Sequence, residues 1–196
     1  MVVLHVTART VSAGTNPDKT HWFTKYEVAP GLDIEPLTDV ALKHAGVAAG
    51  ILVVERQFGY LELHGGTDEV RAAGGAVLDA LGAAVGDAMA PEVLASEIIT
   101  MLDPQHAFLI NRNKIGSMAL AGESLFVLEM RPASYAILAA NEAEKAARIK
   151  VVDYRMIGAT GRVYLSGTEA DVRQAADAAE YALRSGAGTS RAGTRA

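Results

Sequence analysis

Hydrophobic and polar positions along this chain alternate between two periods, and the alternation predicts its elements. Residues 22–29 and 123–130 (the second reading Glu-Ser-Leu-Phe-Val-Leu-Glu-Met) are rich in apolar residues and predict strands. Helices are predicted at roughly 34–46 and 133–148, with Pro30 and Pro132 just ahead of them, where a missing amide donor is harmless. Apolar strands follow at Gly50-Ile51-Leu52-Val53-Val54 and Lys150-Val151-Val152-Asp153-Tyr154. After a turn comes strict period-two alternation: Tyr60, Glu62 and His64 against Leu61 and Leu63, then Arg162 and Tyr164 against Val163 and Leu165. Gly65 and Gly167 end those strands. Closing helices begin at Thr67-Asp68 and Thr168-Glu169, where a hydroxyl can cap the first turn and an acid suits the dipole. Each half therefore reads strand, helix, strand, strand, helix: an α+β unit with helices over an antiparallel sheet. One further strand is predicted ahead of each unit, at Leu4–Arg9 and at Phe108–Arg112, while Pro91–Leu102 carries Val93, Leu94, Ile98, Met101 and Leu102 at helical spacing.

The halves are copies of one another. Lys43 falls on Lys145, a shift of 102 positions, and the same shift pairs Glu27 with Glu129, Pro30 with Pro132, Ala41 with Ala143 and Ala45 with Ala147. Without a gap it goes on to pair Gly59 with Gly161, Leu63 with Leu165, Gly65 with Gly167, Val70 with Val172 and Arg71 with Arg173. A register kept through helices, strands and turns is a tandem duplication. The Gly82–Asp87 stretch is the best boundary, giving domains at 1–87 and 88–184, and residues 185–196 have no apolar pattern and read as a flexible tail.

Composition narrows the function classes. The chain has 196 residues, 50% of them hydrophobic and only 6% aromatic, so its core is expected to pack small aliphatic side chains, and disorder is excluded. No apolar run approaches the ~18–20 residues that cross a bilayer, and Met1-Val2-Val3-Leu4-His5 does not open a secretory leader. With no cysteine, thiol catalysis, disulfides and iron–sulfur clusters are out. A formal net charge of −5 speaks against general nucleic-acid binding. The expectation is a soluble cytoplasmic protein with neither membrane nor nucleic-acid partner.

Candidate chemistry is sparse. His5, His21, His44, His64 and His106 are scattered, with no metal-ligand spacing. Gly158-Ala159-Thr160-Gly161 joins two strands and opens no helix, so it reads as a tight connection rather than a phosphate cradle. No nucleophile elbow and no acid–base carboxylate pair stands out. Neither catalytic activity nor cofactor nor metal is expected.

The segment from Lys145 to Ala175, with Lys-Ala-Ala at a helix end, Arg-Met-Ile-Gly-Ala in a loop, a strand ending at Gly167 and Asp-Val-Arg-Gln-Ala opening a helix, resembles the bacterial microcompartment (BMC) shell domain; residues Glu27–Leu81 form a more divergent copy. Two such domains in one chain resemble the tandem-domain shell proteins, which implies a trimer imitating the family's hexamer. The Arg-ending strand ahead of each unit (Arg9, Arg112) resembles the circularly permuted branch. The resemblance implies that Ile157, Gly158 and Ala159 line a central pore, together with Glu55, Arg56 and Gln57 at the matching positions of the first half. Glu55-Arg56 resembles the gating pair of stacking carboxysomal trimers, and Phe58 is placed to brace that loop or to join the core. Lys43, Lys145, Arg9 and Arg112 match the family's tile-edge residues. The implied partners are two further copies of the chain, a second trimer stacked face to face, other shell hexamers and pentamers, and encapsulated enzymes. A regulatory domain holding a small ligand between its halves, with Glu55 and Arg56 as ligand contacts, is the competing reading of the same duplication.

Overall fold

The computed structural model describes residues 2–10 and 21–185, with side chains from Thr24 onward. The duplication is visible in the backbone. In the first half the elements are β1 (Val2–Thr10), β2 (His21–Ala29), α1 (Ile34–His44), β3 (Ala48–Glu55), β4 (Phe58–Gly65) and α2 (Thr67–Leu81). The second half has β5 (Glu92–Ile99), α3 (Pro104–Asn111), β6 (Ser124–Arg131), α4 (Tyr135–Ala146), β7 (Lys150–Arg155), β8 (Gly161–Gly167) and α5 (Glu169–Ser185). The strands form two four-stranded antiparallel sheets, ordered β1-β2-β4-β3 and β5-β6-β8-β7. Two compact units result, dividing between Ala90 and Pro91. Residues 186–196, most of the expected tail, lie outside the described residues.

Copied details confirm the common origin. Helices α1 and α4 both leave the helix through an extended alanine, Ala45 at φ −146°, ψ 161° and Ala147 at φ −148°, ψ 162°. Strands β3 and β7 each carry a β-bulge, between Ala49 and Ile51 and between Val151 and Asp153, again 102 residues apart.

Each unit buries its own core. In the first, Tyr26 and Val28 of β2, Leu61 and Leu63 of β4, Ile34, Leu37 and Ala41 of α1, and Ala73 and Val77 of α2 pack into one cluster. In the second, alanines at 136, 139, 143, 175, 176 and 179 let α4 and α5 lie close to a sheet that buries Leu128, Met130, Val163 and Leu165. The opposite face of that sheet is covered too: Leu125, Val152, Leu102, Ala107 and Ala119 form a second small core beneath α3 and its flanks.

Two expectations are overturned. Pro91–Leu102 is a strand over Glu92–Ile99, and of Phe108–Arg112 the first four residues fall in helix α3, with Arg112 capping its C-terminal end. The pairing of β5 with β6 slips between Val93 and Ala95, so the extra residue Leu94 breaks the period of two and imitates a helical one. Helix α3 begins at a cap the apolar pattern did not reveal: Asp103 accepts hydrogen bonds from the amides of Gln105 and His106 at 2.8 and 3.4 Å, with Pro104 at the first helical position. The leading strand of the second unit is thus β5, and Arg112 is an exposed helix-end residue with no strand kinship to Arg9. Of the two expected hydroxyl caps, Thr168 accepts from the Asp171 amide at 3.2 Å, whereas Thr67 is already inside α2 and Gly66 precedes it.

Candidate functional site

The β3–β4 and β7–β8 connections carry the residues singled out by sequence. Their bases are built alike. A Cβ on Gly59 would collide with the Gly31 carbonyl oxygen and the Ile34 side chain, and one on Gly161 would collide with the Ala133 carbonyl oxygen, 102 residues further on. Only glycine admits this approach, so the second strand of each hairpin is pinned against the segment leading into the helix.

The tips differ. Glu55 pairs with Phe58, so the first hairpin closes through two residues, Arg56 and Gln57. Arg56 has φ +54°, a left-handed conformation that two-residue hairpins normally assign to glycine or asparagine. Holding an arginine there costs about 1 kcal/mol or more. The tip extends into solvent: Glu55, Arg56 and Gln57 are all exposed, and the Arg56 Nε lies 3.7 Å from Glu55 Oε1 with side-chain exposures of 91% and 53%. Phe58 is half-buried beneath them.

The second tip is wider and tied down. Its outermost ladder pair is Arg155–Arg162, leaving the loop Met156–Thr160. Gly158, at the position matching Arg56, has φ +113°. Ile157 and Gly158 are half-buried and Ala159 is exposed. Arg155 donates to Asp153 Oδ2 at 3.0 Å and to the Asn113 carbonyl at 3.1 Å. At the other end Thr160 donates to Glu129 Oε1 at 2.7 Å, and Arg162 reaches the same oxygen at 3.0 Å. The Thr160 hydroxyl, helped by Arg162 and opposed by burial, holds the Glu129 carboxyl below the usual carboxylate range. Sequence reasoning missed these anchors, although Glu129 belonged to the repeat and its partners Thr160 and Arg162 replace Phe58 and Tyr60 of the first copy.

The expected edge lysines occupy matching, exposed helix ends. Lys43 pairs with Asp39 at 2.5 Å and Lys145 with Glu142 at 2.6 Å, so each is held within its own helix and remains open to solvent. Arg9 lies in β1, where the backbone alone is described. Among the described residues no group of histidines and acids is placed to hold a metal ion, and no helix is long and apolar enough to cross a membrane.

Comparison with known proteins places both units. Residues 3–87 match the model of the CsoS1D N-terminal domain, and residues 124–192 match the BMC domain. The chain is 46% identical over 170 residues to the carboxysome shell protein CcmP of Synechococcus elongatus, covering 86% of this chain and 80% of that one. Among solved structures it is similar to the fused permuted hexameric shell protein MSM0275 of the RMM microcompartment, with 63% identity, a TM-score of 0.86 and coverage of 94% and 97%. A double-ringed trimeric shell protein of that microcompartment, MSM0271, shares 43% identity with a TM-score of 0.86 over 97% of this chain and 98% of its own.

Proposed function

The chain belongs to the bacterial microcompartment shell proteins, whose role is structural, and from that premise we propose that three copies form a ring whose two kinds of hairpin tip, Glu55–Phe58 and Ile157–Ala159, line a gated pore. The observation that supports it most is Arg56 at φ +54°. Strain at an exposed tip that contributes nothing to the core persists where the residue serves another purpose. An arginine that pairs with Glu55 only at 3.7 Å and in water is held by about 0–1 kcal/mol. Turning instead to the Glu55 of a neighbouring copy makes a forked, charge-assisted pair of similar worth. Two arrangements of near-equal energy make a gate that the passing solute can bias. The second tip, small and neutral at Gly158 and Ala159, leaves the opening between the charged tips free.

At the periphery, Lys43 and Lys145 extend from matching helix ends and can donate to backbone carbonyls of the next tile, with their stems lying on apolar surface. The ring then joins other shell proteins in the microcompartment wall, and the chain itself performs no catalysis.

The test is the particle. Light scattering of the intact chain is expected to give three times the 20.5 kDa chain mass. Arg56→Ala should keep that mass while cryo-electron microscopy shows the open pore enriched, and Lys145→Asp should keep it while abolishing sheets. A monomeric mass, or a ring that falls apart on Arg56→Ala, defeats the pore reading.

A further inference from the structure

A surface groove lies between the paired helices of each unit. The one between α1 and α2 measures about 320 Å³ and is lined by Pro36, Leu37, Val40, Ala80 and Leu81, with Asp33 its charged member. The one between α4 and α5 measures about 460 Å³, and there Glu142, Lys145 and Tyr181 join Leu138, Ala178 and Ala182. The grooves are copies, yet two matched positions have diverged: Tyr181 corresponds to Asp79 and Glu142 to Val40. All four residues lie in described helices. Tyr181 is 70% exposed, Asp79 is exposed as well, and neither side chain has a bonding partner among the described residues. Tyrosine is among the residue types that anchor protein contacts. Lys145 lines the second groove, which puts that groove on the expected tile edge.

The divergence decides which edges fit. Two first-unit edges brought together would press Asp79 into an apolar groove that already holds Asp33, which costs both desolvation and like-charge repulsion. Unlike edges match. Tyr181 then fills the groove of Pro36, Val40 and Ala80, where its hydroxyl can donate to Asp33. In return Asp79 meets Lys145, whose ammonium has three donors and gives one to Glu142 at 2.6 Å. We propose that the groove between α1 and α2 receives Tyr181 of a second copy of this chain, a contact that rests on the tile-edge reading of Lys145 and joins unlike edges of neighbouring rings. Threefold symmetry agrees with it. Six edges in alternation make opposite edges unlike, so rings laid side by side in one orientation always bring a second-unit edge against a first-unit edge.

The test is the concentration at which full-length rings form sheets, read by sedimentation and electron microscopy. Tyr181→Asp, which installs the first copy's residue, should raise it at least tenfold with the light-scattering mass of the ring unchanged, whereas Tyr181→Phe should leave it close to wild type. Adding Val40→Lys to Tyr181→Asp should restore assembly, because the new ammonium then faces the new carboxylate across the contact; Asp33→Lys serves for the repair if the Val40 variant does not fold. Normal sheets from Tyr181→Asp, while Lys145→Asp still abolishes them, overturn this contact alone. Normal sheets from both variants, or none from the wild type, defeat the tile-edge reading together with it. A loss that neither second substitution repairs places Tyr181 against some other surface and overturns the proposal. So does a changed ring mass in Tyr181→Asp, which would put the tyrosine inside the ring.

Discussion

The same chain reversal occurs twice in this molecule, and the two versions divide between them what a hairpin can be. At the β3–β4 tip the ladder runs to its end at Glu55–Phe58, and a positive φ is forced on an arginine. At the β7–β8 tip the ladder stops at Arg155–Arg162, the positive φ falls on Gly158, and Thr160 and Arg155 tie the loop down at both ends. One copy puts a charge at a strained, untethered tip. The other gives a neutral, anchored loop. Duplication freed one of two equivalent turns to change without altering the scaffold that carries it.

The comparison breaks most visibly if the shared scaffold is disturbed. Gly59→Ala and Gly161→Ala each force a Cβ onto a backbone carbonyl that cannot swing aside. Each should cost about 3 kcal/mol, the upper end of ordinary overpacking, read as a fall in the denaturation midpoint. Equal losses in the two copies would show that the bases are equivalent. A loss confined to one would mean that the tips, and not the bases, set the geometry.

Next in size is the exchange at the tip. Gly158→Arg copies the first unit's residue into the second, where φ +113° lies outside even the left-handed helical region. A loss of about 1–2 kcal/mol is expected, measured by chemical denaturation. A neutral result would show that the second loop relaxes freely and that its anchors constrain little.

Acid should then separate the tips. The Glu129 carboxyl has a lowered folded-state pKa, chiefly through Thr160. Its contribution is therefore complete above the ordinary carboxylate pKa and is lost as pH falls through the lowered value. Glu123, where burial is outweighed by bonds from Lys150, Ser166 and the Leu120 amide, and Glu180, bonded chiefly by Ser96, are shifted the same way and also lie in the second unit. Stability read by tryptophan-independent circular dichroism should fall on acidification. Glu129→Gln should flatten that fall by on the order of 1 kcal/mol, with Thr160→Val doing likewise; an unchanged acid profile would remove the anchor.

Much of this was legible in residues and some was not. The 102-residue register located β2, β3, β4 and their copies, because matched glycines and prolines mark turns whatever the intervening side chains are. The second unit's opening was misread because Leu94 in its bulge disguises β5 and because Asp103-Pro104 is a capping signal independent of apolar period. The tip residues were found through resemblance, yet the strain at Arg56 was hidden, since nothing about arginine announces a positive φ. Asp153 stood in plain view at the position matching Ile51, but its burial beside Arg155 shows only once its neighbours are placed.

The smallest expected effect bears most directly on why the two tips differ. Arg56→Gly gives the first tip the second tip's residue. Relief of the left-handed strain favours the variant by about 1 kcal/mol, and the greater freedom of glycine in the unfolded chain takes back roughly 0.5–1 kcal/mol. The lost pair with Glu55 adds little, because Arg56 is 91% exposed and the charges are 3.7 Å apart. Stability should therefore rise by no more than about 0.5 kcal/mol, or stay level, in a denaturation series against wild type. A protein that is no worse off without its arginine has kept it for something other than folding, which is what a gate residue requires. A clear loss of stability in Arg56→Gly would instead make the arginine part of the fold, and the contrast between the two tips would then be one of packing and not of purpose.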